Sequence, residues 1–328
     1  MDLKLESETG MKVSLDHDIQ VNTPILLAGW PGMGNVGVGS IDFLRRELGT
    51  DVFGEIDMSQ HFTPEAIVVE DGIAKLPEVP INSFSVSYSP DLIFFLSEAQ
   101  VSGPAALQLT NLIVDVAESY GVKRIYTCAA FAVPTSYSED TKILGVATDE
   151  DLRDSLTPHG TEILAQGIVS GLNGLLLGVA GGRGIESACL LATIPQYAIS
   201  LPNPRGSRAL VQTLSSLLDV SVDTFGFDDP ISQMDEVMSQ IEERMRTAFT
   251  EREEDGEGIE DVEELPESVD KEEVPHYVMR RIEQLFQQVA GDRNKAPQLK
   301  EELDRWGIYE LYEDRFLDLF RDLGDQAE

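Results

Sequence analysis

Gly32-x-Gly34-x-x-Gly37 sits inside PILLAGWPGMGNVGVGSIDFLRREL, Pro24 to Leu48, and its spacing matches an anion-binding fingerprint. The chemistry behind that fingerprint is simple. Glycines let the backbone turn tightly, and the amides at a helix N-terminus attract a phosphate. A dinucleotide site also needs a carboxylate about 20 positions on, at the end of the second strand, to hold a ribose. Asp57 stands there, with Glu55 close by. Two features point the other way. Trp30-Pro31 occupies a turn that is small in dinucleotide loops, and no Gly-Lys-Ser/Thr follows, which excludes a Walker loop. Two readings stay open: a nucleotide or nucleoside-like ligand on the loop, or glycines that let helix and strand pack closely.

A second group of residues could complete a pocket. Asn35 lies in the glycine loop, Glu98 and Gln100 follow an apolar strand, and Arg183 and Glu186 flank a second glycine-rich stretch. Ligands of open α/β sheets bind in the crevice past the strand ends. The candidate pocket is therefore Gly32, Gly34, Asn35, Gly37, Glu98, Gln100, Arg183 and Glu186. The ligand reading requires Asn35, Glu98 and Arg183 to converge, whereas Glu98 with Arg183 reads equally as a structural ion pair.

Other chemistry finds no support. A nucleophile needs a base within reach. Gly167-Ile-Val-Ser170-Gly171 lacks the Gly-x-Ser-x-Gly spacing of a nucleophile elbow. The histidines, His17, His61, His159 and His276, stand in loop-like or terminal contexts without ligand spacing. Cys128 and Cys189 each lie in an apolar run and read as buried, unpaired thiols. No catalytic residue, cofactor or metal is assigned.

The elements that must position these residues follow from periodicity. Pro24–Gly29 predicts a buried strand, and Val36–Leu48 a helix with Val38, Ile41, Leu44 and Leu48 inward. Asp51–Asp57 predicts a strand. Residues 66–69 and 72–75 predict two short strands across an Asp71-Gly72 turn. Residues 84–88 and 92–96 follow, the latter continuously apolar as a central strand is. Ser102-Gly103-Pro104 opens a helix, with Ser102 as its cap and Gly121 beyond its end. Strands at 123–131, 144–147 and 186–193, and helices at 149–156 and 204–218, complete the body. Met11–Leu15 predicts an edge strand. Leu172–Val179 is uniformly apolar, so a helix there is expected to be buried all round. This alternation predicts an α/β fold: a three-layer α/β/α domain with a largely parallel sheet.

The chain carries a net charge of −35 over 328 residues. Carboxylates outnumber cations 28 to 12 in residues 1–225 and 31 to 12 beyond. Nucleic acid and anionic membranes need clustered cations, so neither is an expected partner. A surface acidic throughout fits either a protein built for high salt or an ordinary acidic protein with an acidic tail. No apolar run is long enough to span a membrane and MDLKLESETG lacks a signal pattern, so a cytoplasmic protein is expected. The organisation predicted is a body at 1–227, a connecting helix at 228–250, an acidic linker at 251–273 and a C-terminal helical appendage at 274–328. The appendage carries apolar stripes that include Val278, Ile282, Leu285 and Val289, then Leu299, Leu303 and Trp306, then Tyr312 and Phe316.

Taken together, PILLAGWPGMGNVG, DLIFFLSEAQ, GVKRIYTCAAFA, GIVSGLNGLLLGVAGGRGIESACLLATIPQY and NPRGSRALVQTLSSLLDV resemble the PAC2 family, which includes the proteasome assembly chaperones and their prokaryotic relatives. The resemblance covers residues 20–227, and the tail is similar to the helical extension of prokaryotic members. It implies a phosphorylase/hydrolase-like α/β/α fold, self-association, no catalytic residues, and contact with α-subunits of the 20S proteasome. Some such chaperones end in hydrophobic–Tyr–any residue, whose carboxylate enters α-ring pockets. Here the last residues are Asp325-Gln326-Ala327-Glu328, and Ile308-Tyr309-Glu310 and Leu311-Tyr312-Glu313 are internal. The leading expectation is a non-catalytic factor that binds proteasome subunits; the alternative is a binder of, or enzyme for, a nucleotide or nucleoside-like molecule at Gly32–Gly37.

Overall fold

The computed structural model describes residues 3–6, 11–15, 19–62, 64, 67–254, 282, 285–286, 289, 295–305, 309, 312 and 316. The chain divides into two compact units, Met1–Glu251 and Arg252–Glu328.

The first unit is built on β3 (Ile25–Gly29), whose residues are apolar because both of its faces are covered. Leu26 and Ala28 face one helical layer and Leu27 the other, all fully buried. Its neighbours are β8 (Asp91–Ser97) on one side and β9 (Arg124–Val133) on the other, both parallel to it. Beyond β9 lie β12 (Glu186–Pro195), parallel, then β10 (Ile143–Ala147), antiparallel, and β11 (Thr161–Ile163), parallel to β10. Beyond β8 come β7 (Asn82–Tyr88), β4 (Asp51–Asp57), β2 (Lys12–Leu15) and β1 (Leu3–Glu6), each antiparallel to the last. The sheet order is β1-β2-β4-β7-β8-β3-β9-β12-β10-β11. The expected α/β class and parallel centre are both present, with an antiparallel wing beyond β8. Met11–Leu15 gives a strand as predicted, but β1 lies outside it and takes the edge.

Two helical layers cover the sheet. On one face α1 (Val36–Glu47) packs beside α5 (Pro204–Leu218), with α3 (Glu150–Leu156) along the same side. On the other α2 (Gly103–Ser119) packs beside α4 (Gly171–Gly182). Caps define several ends. The Asp149 carboxylate accepts from Leu152 N at 2.8 Å to open α3, and Asn203 Oδ1 accepts from Gly206 N at 2.8 Å to open α5, with Pro204 in its first turn. The predicted Ser102 cap makes no side-chain hydrogen bond to α2, and Pro104 alone marks that start. Nor is α4 buried all round. Leu172, Leu176 and Ala180 share its sheet-facing side at helical spacing, while Gly178 is exposed and Leu175 and Val179 are half-buried. An outer-layer helix covers only one face, and α4 fills its other side with glycine and aliphatic residues instead of charges.

The ribbon β5 (Val68–Glu70) and β6 (Ile73–Lys75) forms across the predicted Asp71-Gly72 turn but joins no other strand among the described residues. After α5, α6 (Asp228–Glu254) runs along the body. Its Glu242 carboxylate accepts from Tyr137 N and Ser136 Oγ at 2.9 Å each and from the Tyr197 hydroxyl. Its Asp235 pairs with Arg205 on α5, with Nε to Oδ1 at 2.7 Å.

In the second unit, α7 (Ala296–Arg305) contributes Leu299 and Leu303 to a cluster with Ile282, Phe286, Val289 and Phe316. Tyr309 and Tyr312, the tyrosines of the two internal hydrophobic–Tyr–Glu triplets, pack against this cluster through Phe316 and Phe286, at centroid distances of 5.7 Å each. The acidic stretch beyond Glu254, with Val278 and Trp306, lies outside the described residues.

Candidate functional site

Chain direction selects the place. From β3 the chain passes through α1 toward β4 on one side of the sheet. From β9 it leaves toward β10 and β12 on the other. The gap past the carboxyl ends of β3 and β9 is therefore a topological switch point, where open α/β sheets place ligands.

The glycine loop forms one wall. After Gly29, Trp30 is buried, its ring 5.6 Å from that of Phe95. Gly34 (φ +61°) and Asn35 (φ +49°) then turn the chain in the left-handed region, which glycine enters without strain. Gly34 is clamped from both ends: its N–H donates to Ile199 O at 2.8 Å, and its carbonyl accepts from Asn203 N at 2.8 Å. Asn35 N donates to Gly32 O at 2.9 Å, and Val36 N to Met33 O. Three amides that a phosphate would use are thus engaged within the protein. At Gly37 the backbones touch, since a Cβ there would stand 2.0 Å from Cys128 O on β9. This glycine exists for close packing of α1 on the sheet.

The opposite wall repeats the device. A Cβ on Gly174, in the first turn of α4, would stand 1.9 Å from Val169 O. Gln100 joins the two walls: its Nε2 donates to Pro31 O at 2.8 Å, and its Oε1 accepts from Leu172 N at 3.3 Å. Between them lies a cavity of 340 Å³, its walls including Trp30, Met33, Phe131, Ile168, Val169 and Asn173. Its lining residues include no Asp, Glu, Lys or Arg. The floor includes Cys128, whose thiol is raised far above its ordinary range by burial, with Cys189 adding to the rise. Burial also pushes Cys189 up to about 12. Neither thiol is a nucleophile near neutral pH.

Of the sequence-derived residues, Gly32, Gly37 and Gln100 line this cavity. Gly34 is turned into the segment before α5, and Asn35 is exposed and makes no side-chain bond to the helix it precedes. Glu98 accepts from Ile81 N at 3.0 Å and lines a separate groove with Asp42 and Arg45. Arg183 and Glu186 do not join them. Arg183 ends α4 and pairs with α2, with NH1 to Asp115 Oδ1 at 2.7 Å and Nε to Glu118 Oε1 at 3.0 Å. Glu186 begins β12 and accepts from Arg124 Nε, at the first residue of β9, at 2.9 Å. Both therefore lie at the amino ends of the strands, and neither the convergence with Glu98 nor the Glu98–Arg183 pair forms. Asp57 is also displaced. Its strand is three places from β3, about 14 Å at the usual spacing, and its carboxylate accepts from Ser59 N, which lowers its pKa. His159 Nδ1 lies 2.7 Å from Ser216 Oγ on the surface, away from the cavity lining. Among the described residues no group of three or more His, Cys, Asp or Glu could hold a metal, and no helix is long and apolar enough to cross a membrane.

Sequence reasoning missed Trp30 and Asn173 as cavity residues. The signal for Asn173 was present: it is the one polar side chain in Gly171–Gly182.

Residues 26–245 match the PAC2 family, well over half of the chain. The chain belongs to the PAC2 family. No curated protein matches it. Among solved structures, it is similar to Pyrococcus furiosus PbaB, described as an archaeal proteasome activator, at 21% identity and a TM-score of 0.60, over 71% of this chain and 98% of that one. It is similar to P. furiosus PbaA, an archaeal homolog of proteasome-assembly chaperone, at 22% and 0.57, over 74% and 97%. A Mycobacterium tuberculosis proteasome-assembly chaperone homologue matches at 18% and 0.56, over 66% and 94%. At these identities the likeness establishes a shared fold.

Proposed function

We propose that this PAC2 protein is a non-catalytic, self-associating factor that binds proteasome subunits during assembly or activation. Family membership and the descriptions of PbaA and PbaB supply the partner class. The observation on this chain that carries protein binding is the β5–β6 ribbon. Val69 pairs with Ala74 across it, and Ile67 and Leu76 continue the same face by the two-residue alternation of strands. That face is wholly apolar, and its large side chains are 57–74% exposed. The other face is polar at its corners, where Lys75 pairs with Glu70 at 2.8 Å. A two-stranded ribbon is marginal in water, and an exposed apolar patch marks an interaction surface. Because the chain is so acidic, contact through this neutral face should hold as salt rises, unlike contact through charges.

The test is retention of proteasome α-subunits by the immobilised full chain, read by mass spectrometry at native salt. The expected result is α-subunit retention, reduced by about tenfold or more in Val69→Asp and Leu76→Asp, the loss typical of an interface anchor. Absence of any proteasome subunit from the retained fraction sinks the proposal. The glycine-loop nucleotide alternative draws no supporting observation, since three loop amides are engaged and no cation is among the described residues that line the cavity.

A further inference from the structure

We propose that the groove between α1 and the paired ends of β7 and β8 takes one arginine or lysine side chain of the protein that the ribbon binds. This rests on the protein-binding reading above and names the chemistry of the partner's anchor. The groove has a volume of 450 Å³. Val38, Asp42 and Arg45, at helical spacing on one side of α1, form one wall. Leu96 on β8, with Ile81 and Glu98 just beyond the two strands, forms the other. The β7–β8 ladder continues one step here: Glu98 N donates to Ile81 O at 3.0 Å, and Glu98 Oε2 accepts from Ile81 N at 3.0 Å.

The two carboxylates of the groove differ. Asp42 is satisfied within α1: its Oδ1 accepts from the Arg45 guanidinium at 2.7 Å, and its Oδ2 lies 3.1 Å from Arg46 Nε. Glu98 is exposed and pairs with no cation among the described residues, its carboxylate accepting only from the neutral Ile81 amide. Val38 and Leu96 are half-buried and Ile81 is 54% exposed, so aliphatic carbon lies beside it. Aliphatic carbon next to an unneutralised carboxylate matches a long apolar stem with a cationic head, the form of arginine and lysine. Location ties the groove to the ribbon. Leu76 and Ile81 are five residues apart, so at most about 18 Å separates them, and Val79 between them is also exposed. Both fit under one interface of ordinary size, about 800 Å² on each partner. A chain of net charge −35 attracts basic surfaces over distance, and Glu98 is a place where such a charge can be met at close range. The apolar ribbon supplies area without choosing a partner. The groove supplies the choice, since a neutral or acidic side chain would cover Glu98 without meeting its charge.

The test uses the full chain, with acetyl-Leu-Arg-Leu-amide as probe and its citrulline analogue, which keeps the shape of arginine without the charge, as control. Binding is read by calorimetry and by the ¹⁵N–¹H signal of the Ile81 amide, assigned by its loss from isoleucine-labelled Ile81→Val. The expected result is saturable movement of that signal with the arginine peptide at millimolar concentration. Affinity for the citrulline peptide should be lower by about tenfold or more, the loss of one charge-assisted hydrogen bond. Glu98→Gln, which keeps an acceptor for the Ile81 amide, should weaken the arginine peptide to the same degree. If that variant fails to fold, Ile81→Arg, which sets a cation beside Glu98 from an exposed position, should do so by calorimetry. The inference is overturned by no saturable binding up to tens of millimolar. It is equally overturned by citrulline binding that matches arginine binding, or by arginine binding that survives Glu98→Gln or, in its place, Ile81→Arg. Retention of α-subunits is measured apart from the peptides. Absence of α-subunits with a positive peptide result removes the proteasome reading and keeps the groove; retention without peptide binding removes the groove and keeps that reading.

Discussion

The glycine loop and the β5–β6 ribbon occupy opposite extremes of the same unit. At Gly37 the helix backbone rests on the strand backbone, and no side chain can be added. At Val69 and Leu76 side chains meet almost nothing of their own chain. The first region is specified by the fold; the second adds little to it, and the proposed function assigns it to a partner. The contrast separates two placements of uncharged residues in a very acidic protein: packed within the body, and exposed on its surface.

The comparison breaks most sharply at Gly37. Gly37→Ala should cost on the order of 4 kcal/mol or prevent folding, because backbone must move to admit the Cβ. Urea denaturation followed by circular dichroism measures it. A loss below about 1 kcal/mol, the ordinary range of single substitutions, would show that the contact is not tight. Gly178 is the control: it is helical, exposed and open beyond its Cβ, so Gly178→Ala should stabilise by up to about 1 kcal/mol.

At the ribbon, Val69→Asp and Leu76→Asp should leave the unfolding free energy within about 0.5 kcal/mol, as for surface positions, while partner retention falls. A large loss of stability would mean that the ribbon is packed on the body in solution.

A smaller effect concerns α6. Burial alone would raise the Glu242 pKa, but hydrogen bonds from the Tyr197 hydroxyl, Tyr137 N and Ser136 Oγ outweigh it, and the value is lowered. A depressed carboxylate pKa contributes stability that is present above the ordinary glutamate value and is lost as pH falls through the folded value. Hydrogen exchange in α6 around Glu242 should therefore accelerate as pH drops below about 4.3, after correction for intrinsic rates. Glu242→Gln should flatten that dependence, and an unchanged profile would show that the carboxylate does not fasten the helix.

The smallest expected signal is from the thiols. Cys128 and Cys189, both fully buried with raised pKa values, should be silent to a thiol reagent in the native protein and should react only on unfolding.

Much of the scaffold was legible. Continuous apolar runs marked β3, β8 and β9, and Pro104 and Gly121 marked the ends of α2, because burial on both faces and helix termini leave local traces. Strand direction leaves none: Ile143–Ala147 reads the same whether it runs with β12 or against it. The site was half legible. Gly32, Gly37 and Gln100 meet because each follows a strand or opens a helix at the same end of the sheet. Arg183 and Glu186 were misplaced although the order helix, Arg183, Glu186, strand already sets them at the amino end. Trp30 and Asn173 could not be read as unpaired, since pairing depends on neighbours far away in the chain.

The Arg183 pairs carry one more consequence. They moor the last turn of α4 to the end of α2, whereas its first turn meets the loop side through Gln100, a single exposed side chain. The two ends of α4 are thus held by different chemistry: ion pairs at the end remote from the cavity, and at the cavity end the buried Leu172 and the close approach of Gly174 to Val169 O. Cutting the Arg183 tether would loosen the charged attachment to α2 and leave those apolar contacts in place.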